Sequence, residues 1–140
     1  MARLLLLDTS VLVAAERQSL PVDAIAEPEP EALLVMSVIT VAELLQGQHR
    51  PRTDRQRRSG GSFISDALAR LTLLSVDLAV AHAHARVWAD LAGRGEIIGP
   101  YDLIIAATAL AHGAALATLN FREFQRVEGL DVRAVRPLLT

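Results

Sequence analysis

Short apolar runs alternate along this chain with longer segments of mixed polarity. Arg3 to Leu7 is nearly all leucine and stops at Asp8, the pattern of a strand buried on both faces. Thr9 or Ser10 is placed to cap a helix running to about Glu16. Ser19-Leu-Pro-Val opens a second short helix with Pro21 near its first turn, and Glu27 to Glu31 (EPEPE) reads as a linker turn. Leu33 to Met36 is a second strand, and Ser37 starts a helix to about His49. Arg50 to Gly61 has no hydrophobic periodicity and reads as a mobile loop. A helix over Ser62 to Arg70 and a strand over Leu73 to Val76 follow. Asp77 then caps a long helix to about Ala92. Gly93 to Gly99 is a loop, Pro100 begins a helix that ends at Gly113, and Ala115 to Thr118 and Asp131 to Val135 are the last strands.

Strands that alternate with helices and are themselves continuously apolar predict an α/β fold: three layers, with a short, mainly parallel central sheet flanked by helices. A length of 140 residues matches a single domain, residues 1–140. Ligands in such folds gather at the carboxyl ends of the strands. Asp8 follows the first strand directly, and Asn120 and Glu123 follow the strand ending near Thr118. Helices carrying Glu43 and Asp102 can bring their acids to the same edge.

Composition narrows the chemistry. With 51% hydrophobic and 21% charged residues the chain is an ordered globular protein. No apolar run approaches the roughly 18 to 20 residues that span a bilayer, and the leucines after Met-Ala-Arg are too few for a signal peptide. A cytoplasmic protein without membrane contact is expected. The absence of cysteine excludes disulfides and thiolate metal sites. Any metal is therefore held by oxygen or imidazole, which favours a hard ion such as Mg²⁺ or Mn²⁺. All 14 basic residues are arginine, and a net charge of −2 argues against a generally basic nucleic-acid binder while leaving room for a local patch.

Three acids interrupt the most apolar stretches: Asp8 in LLLLDTS, Glu43 in VITVAELLQG and Asp102 in GPYDLIIAATALAHG. A carboxylate beside a buried run is costly unless it is paired, hydrogen-bonded or bound to a cation. Each has an ordinary structural role open to it. Asp8 can cap the helix after its strand, Asp102 can sit in the first turn after Pro100, and Glu43 can reach the surface from its helix. The joint pattern is more specific than any one member.

That pattern resembles the PIN-domain ribonucleases, in particular the VapC-type toxins of bacterial toxin–antitoxin pairs. The pieces that carry the resemblance are LLLDTSVLV, MSVITVAELLQG and IIGPYDLIIAATALAHGAALATLNFREFQRVEGLDV. It spans nearly the whole chain and is weakest over residues 48–70. The resemblance implies a PIN-like fold and a divalent-metal-dependent endoribonuclease acting on RNA, restrained by a cognate antitoxin and forming a homodimer. Asp8, Glu43 and Asp102 fall on the family's core acidic positions. TLNFREF supplies the fourth contribution, with Glu123 as the acid and Asn120 orienting water or substrate. Thr9 or Ser10 matches the family's hydroxyl after the first aspartate, donating to a ligand carboxylate.

Arg50, Arg52, Arg55, Arg57 and Arg58 crowd one short segment and are candidate contacts to RNA phosphate or to a protein partner, as is Arg94 in the loop before Asp102. No histidine is assigned to metal, and Trp88 and Tyr101 read as packing residues. Two other classes remain open. One is a PIN-fold binding or regulatory module with a compromised site. The other is a phosphoacceptor α/β protein using Asp8, disfavoured by the lack of any lysine and of a second aspartate two residues on.

Overall fold

The structure, a computed structural model, describes residues 3–25 and 29–135. The elements are β1 (Leu4–Leu7), α1 (Thr9–Arg17), α2 (Val22–Ile25), β2 (Leu33–Ser37), α3 (Val38–Gln48), α4 (Asp54–Arg70), β3 (Thr72–Leu74), α5 (Leu78–Gly93), α6 (Pro100–His112), β4 (Ala115–Thr118), α7 (Phe121–Phe124) and β5 (Val132–Ala134). The five strands form one sheet in the order β3-β2-β1-β4-β5, and every pairing is parallel.

β1 sits at the centre because its leucines are buried on both faces. Leu5 and Leu7 pack with Leu34, Met36, Ala115 and Ala117 against α1, α2, α3 and α4. Leu6 points the other way and joins Val35 and Leu116 under α5, α6 and α7. The period-two alternation of a strand therefore feeds two cores at once, which is why these strands carry no polar face. Leu4 pairs with Leu33 and Leu5 with Ala115. That register aligns the carboxyl ends of β1, β2 and β4. The chain leaves β1 toward β2 on one side and adds β4 on the other, so a crevice opens at the switch in direction. Among the described residues no helix is long and apolar enough to cross a membrane.

The expected layers and strand order of appearance hold, and the expected loop over Arg50 to Gly61 does not. From Asp54 onward this segment is the first half of α4. Thr53 and Gln56 form a capping box, with the Gln56 N–H donating to Thr53 Oγ1 (3.1 Å) and the Thr53 N–H to Gln56 Oε1 (2.9 Å). Gly60, Ile64 and Ala67 make the buried stripe. Gly60 is buried beneath the polar side-chain ends of Gln48, Arg52 and Glu16, which crowd the place a Cβ would take. A glycine and a run of arginines thus hide a helical periodicity that begins three residues before the first large apolar side chain, Phe63.

Smaller corrections concern ends. α1 is capped by Asp8, not by Thr9 or Ser10, and the third strand lies at Thr72–Leu74. Of the Glu27 to Glu31 turn, residues 27 and 28 lie outside the described residues. Trp88 and Tyr101, expected as packing residues, lie outside the core, 53% and 49% exposed.

Candidate metal centre

Asp8 is the first residue past β1 and is 1% exposed. It tolerates burial because three donors meet its carboxylate. The Thr9 N–H donates to Oδ1 (2.8 Å), and the hydroxyls of Ser10 (2.7 Å) and Thr118 (2.8 Å) both donate to Oδ2. Capping and site are one role here, since the N–H that Asp8 caps also fixes the plane of its carboxyl group. Thr118 was not singled out by sequence. It ends β4, beside β1, and is fully buried. It also accepts the Asn120 N–H (2.9 Å), tying the turn into α7 to Asp8.

Glu43 lies one turn after Thr40 on α3. The Thr9 hydroxyl donates to Glu43 Oε1 (2.7 Å) and stands 2.9 Å from the Thr40 hydroxyl. Thr9 has one hydroxyl proton and gives it to Glu43, so Thr40 is the donor to Thr9. The two hydroxyls after Asp8 therefore divide the work: Ser10 serves Asp8, and Thr9 serves Glu43.

Asp102 stands in the first turn of α6, after Pro100 at the helix start. Its carboxyl is pushed up to about 6, first by burial and then by the negative charges of Asp8, Glu123 and Glu43, with a hydrogen bond to Glu123 acting in the same direction. Glu43 is also raised, chiefly by burial, with the Thr9 hydrogen bond opposing and Asp8 adding to the rise. The four acids thus feel one another, and no cation is among the causes at either group.

Asp8, Thr9, Ser10, Glu43, Asp102 and Asn120 line one open cleft of about 510 Å³ at the carboxyl edge of the sheet. Glu123 reaches this group from α7 through Asp102. Among the described residues no three His, Asp or Glu side chains are already gathered closely enough to enclose a cation. The donor chemistry nevertheless fits one: hard carboxylate oxygens that repel one another, with no arginine among the groups that shift Glu43 or Asp102. Arg94 is committed elsewhere, to Asp90 (2.8 Å), Glu96 (3.2 Å) and the Arg126 carbonyl (2.7 Å).

A family profile described as PIN domain matches residues 5–130. The chain belongs to the PIN-domain family. Ribonuclease VapC1 of Rickettsia felis is 33% identical over 131 residues, which is 94% of this chain and 96% of that protein. A tRNA(fMet)-specific endonuclease VapC of Shigella flexneri is 32% identical over 97 residues, 69% of this chain and 71% of that one. Among solved structures, VapBC2 from Rickettsia felis bound to a promoter DNA fragment aligns with TM-score 0.83 at 25% identity, covering 94% of this chain and 98% of that one. VapBC-1 from nontypeable Haemophilus influenzae aligns with TM-score 0.80 at 27% identity, covering 94% and 97%. The PIN chain described here is thus a VapC homologue along nearly its full length, and its parallel sheet and flanking helices are those of the family.

Proposed function

We propose that this PIN protein is a divalent-cation-dependent endoribonuclease, the toxin of a type II toxin–antitoxin pair, with Asp8, Glu43, Asp102 and Glu123 as its metal-binding acids. The observation that carries the reading is that Asp8, Glu43 and Asp102 line one cleft, where burial first and the neighbouring acids second push the Asp102 carboxyl up to about 6. Acids gathered on one cleft in this way suit a cation drawn in among them.

Mg²⁺ or Mn²⁺ would be held by these carboxylates. Asp8 Oδ2 already takes two hydroxyl donors and Oδ1 only the Thr9 N–H, so Asp8 would offer a cation the lone pair left on Oδ1. Glu43 would present Oε2, because Oε1 is taken by Thr9. Asp102, hydrogen-bonded to Glu123, would complete the carboxylate set with it. When bound, the cation supplies charge neutralisation, an acidified water and stabilisation of the oxygens at the cleaved phosphate. Asn120, on the cleft rim, would orient water or the substrate phosphate. Hydrolysis of this kind leaves 5′-phosphate and 3′-hydroxyl ends.

The partner expected from the VapBC relatives is a cognate antitoxin. A homodimer is favoured by two exposed apolar stripes, Val38, Ala42 and Leu45 on α3 and Leu78, Ala81, Ala85 and Trp88 on α5.

The test is cleavage of RNA by the purified chain with chelator, Mg²⁺ or Mn²⁺, beside Asp8→Asn. Cleavage that needs the cation, is lost in Asp8→Asn and leaves 5′-phosphates is the expected result. No cation-dependent cleavage would leave a binding module as the better reading, and a 2′,3′-cyclic phosphate would sink the hydrolytic mechanism.

A further inference from the structure

Four clustered carboxylates repel a polyanion, so a strand that reaches them needs positive charge along its approach. The arginine-rich segment after α3 is the obvious source by sequence, but the fold disperses it. Arg52 bridges to Glu16 (3.4 Å) and donates to Gln48. Arg57 lies 3.8 Å from Asp54 and donates to the Gln48 carbonyl (3.3 Å). Arg55 and Arg58 are exposed on α4 and line neither cleft beside the acids.

Two arginines behave differently. The cleft that holds Asp8 and Asp102 adjoins a second one, and the two share Thr9, Val13, Arg17 and Glu43. Together they form a groove that leaves the acids along α1 and ends at the turn between α3 and α4. Arg17 lies on both parts of this groove, and Arg50 lines its far part. Both are exposed, and among the described residues neither has an ion pair or a side-chain hydrogen bond. Arg17 is in the last turn of α1, where a cation also offsets the helix dipole. That role does not require it to face the groove shared with Glu43.

We propose that Arg17 and Arg50 are phosphate-gripping residues for a single-stranded RNA lying in this groove, Arg17 next to the acids and Arg50 farther along. The assignment rests on the ribonuclease reading. Guanidinium groups suit it, because each offers paired donors to a phosphate and stays charged at any working pH. The neighbouring Glu16, which would repel the strand, is neutralised by Arg52.

The experiment is binding of a fluorescently labelled single-stranded RNA to the full chain in chelator, by polarisation, between 50 and 200 mM salt. Each lost phosphate contact lowers the slope of log affinity against log salt by about 0.7. Arg17→Gln and Arg50→Gln are expected to lower it by about that much each, and the double variant by about twice that. Arg17→Lys should keep the parent slope, as should Arg55→Gln with Arg58→Gln. An unchanged slope in the Arg17→Gln, Arg50→Gln double variant overturns the assignment, as does an equal loss in the α4 pair. Loss of antitoxin binding without a change in slope overturns it too, by giving the groove to a protein. If the parent chain cleaves RNA with a cation while the double variant keeps its slope, only this assignment fails. If the parent neither binds nor cuts RNA, the ribonuclease reading fails with it.

Discussion

Replacing Asp102 by asparagine should stabilise this protein when divalent cation is absent. The native carboxyl is raised to about 6 from an ordinary 3.8, by burial and by its acidic neighbours. Between those two pH values the folded chain binds more protons at this site than the unfolded chain does. Stability therefore falls as pH rises through the window, and above it the full penalty remains. Taken at face value, ionising this group in the fold at pH 8 costs about 3 kcal/mol. The side chain is only half-buried, so solvent screening brings the figure to about 1–2 kcal/mol. Asparagine keeps the shape and removes the charge. In chelator at pH 8, Asp102→Asn should melt about 3–7 °C above the parent, given the usual entropy of unfolding for a domain of this size. At pH 5, where much of the native carboxyl is protonated, the gap should shrink to about half. With saturating Mg²⁺ or Mn²⁺ the order should reverse, because a cation present at 100 times its dissociation constant adds about 2.7 kcal/mol to a chain that binds it. The assay is thermal unfolding by circular dichroism across pH, with and without cation. A variant that melts at or below the parent in chelator at pH 8 would refute the electrostatic account of the site, as would a gap that does not narrow toward acid pH.

Thr118→Val removes the hydroxyl that meets Asp8 Oδ2 and keeps the strand-forming shape; cation affinity by calorimetry should weaken about 10–100-fold, with Thr118→Ser restoring it. Gly60→Val pushes only against the tips of Gln48, Arg52 and Glu16, which can swing aside, so it should cost no more than about 1 kcal/mol in urea unfolding; a loss of several kcal/mol would show that α4 packs against something more rigid there. Thr53→Ala, losing the capping box of α4, should cost about 1 kcal/mol in the same experiment. If the α3 and α5 stripes are the homodimer surface, Leu45→Arg with Trp88→Arg should run as a monomer in light scattering where the parent runs as a dimer; a parent that is monomeric at every concentration removes the proposal.

The sequence alone determined the layers and the edge at which chemistry gathers. Leucine runs with no polar face require cover on both sides, which made a mainly parallel, covered sheet legible, while the pairing in the fold set β1 at its centre. Asp8, Glu43 and Asp102, the proposed core of the site, stood out for the converse reason: each is a charge next to residues that exclude water. Glu123, the proposed fourth acid, stood out only through its family block, because it lies on a short helix with no apolar frame of its own. Tertiary structure decided everything that depends on contacts between distant parts of the chain. Thr118 reads as the polar end of a strand until β4 is set beside β1, and only then does its hydroxyl meet Asp8 across 110 residues. Thr40 is an ordinary helix residue until α1 and α3 meet and it becomes the donor behind Thr9. The apparent loop proved to be a helix whose Thr53–Gln56 cap and buried Gly60, Ile64 and Ala67 only show once its neighbours are in place. The same packing tied Arg52 and Arg57 to partners and left Arg17 and Arg50 facing the groove. Local patterning sets which side of each element seeks burial, but the partner of a polar group is set by which elements become neighbours.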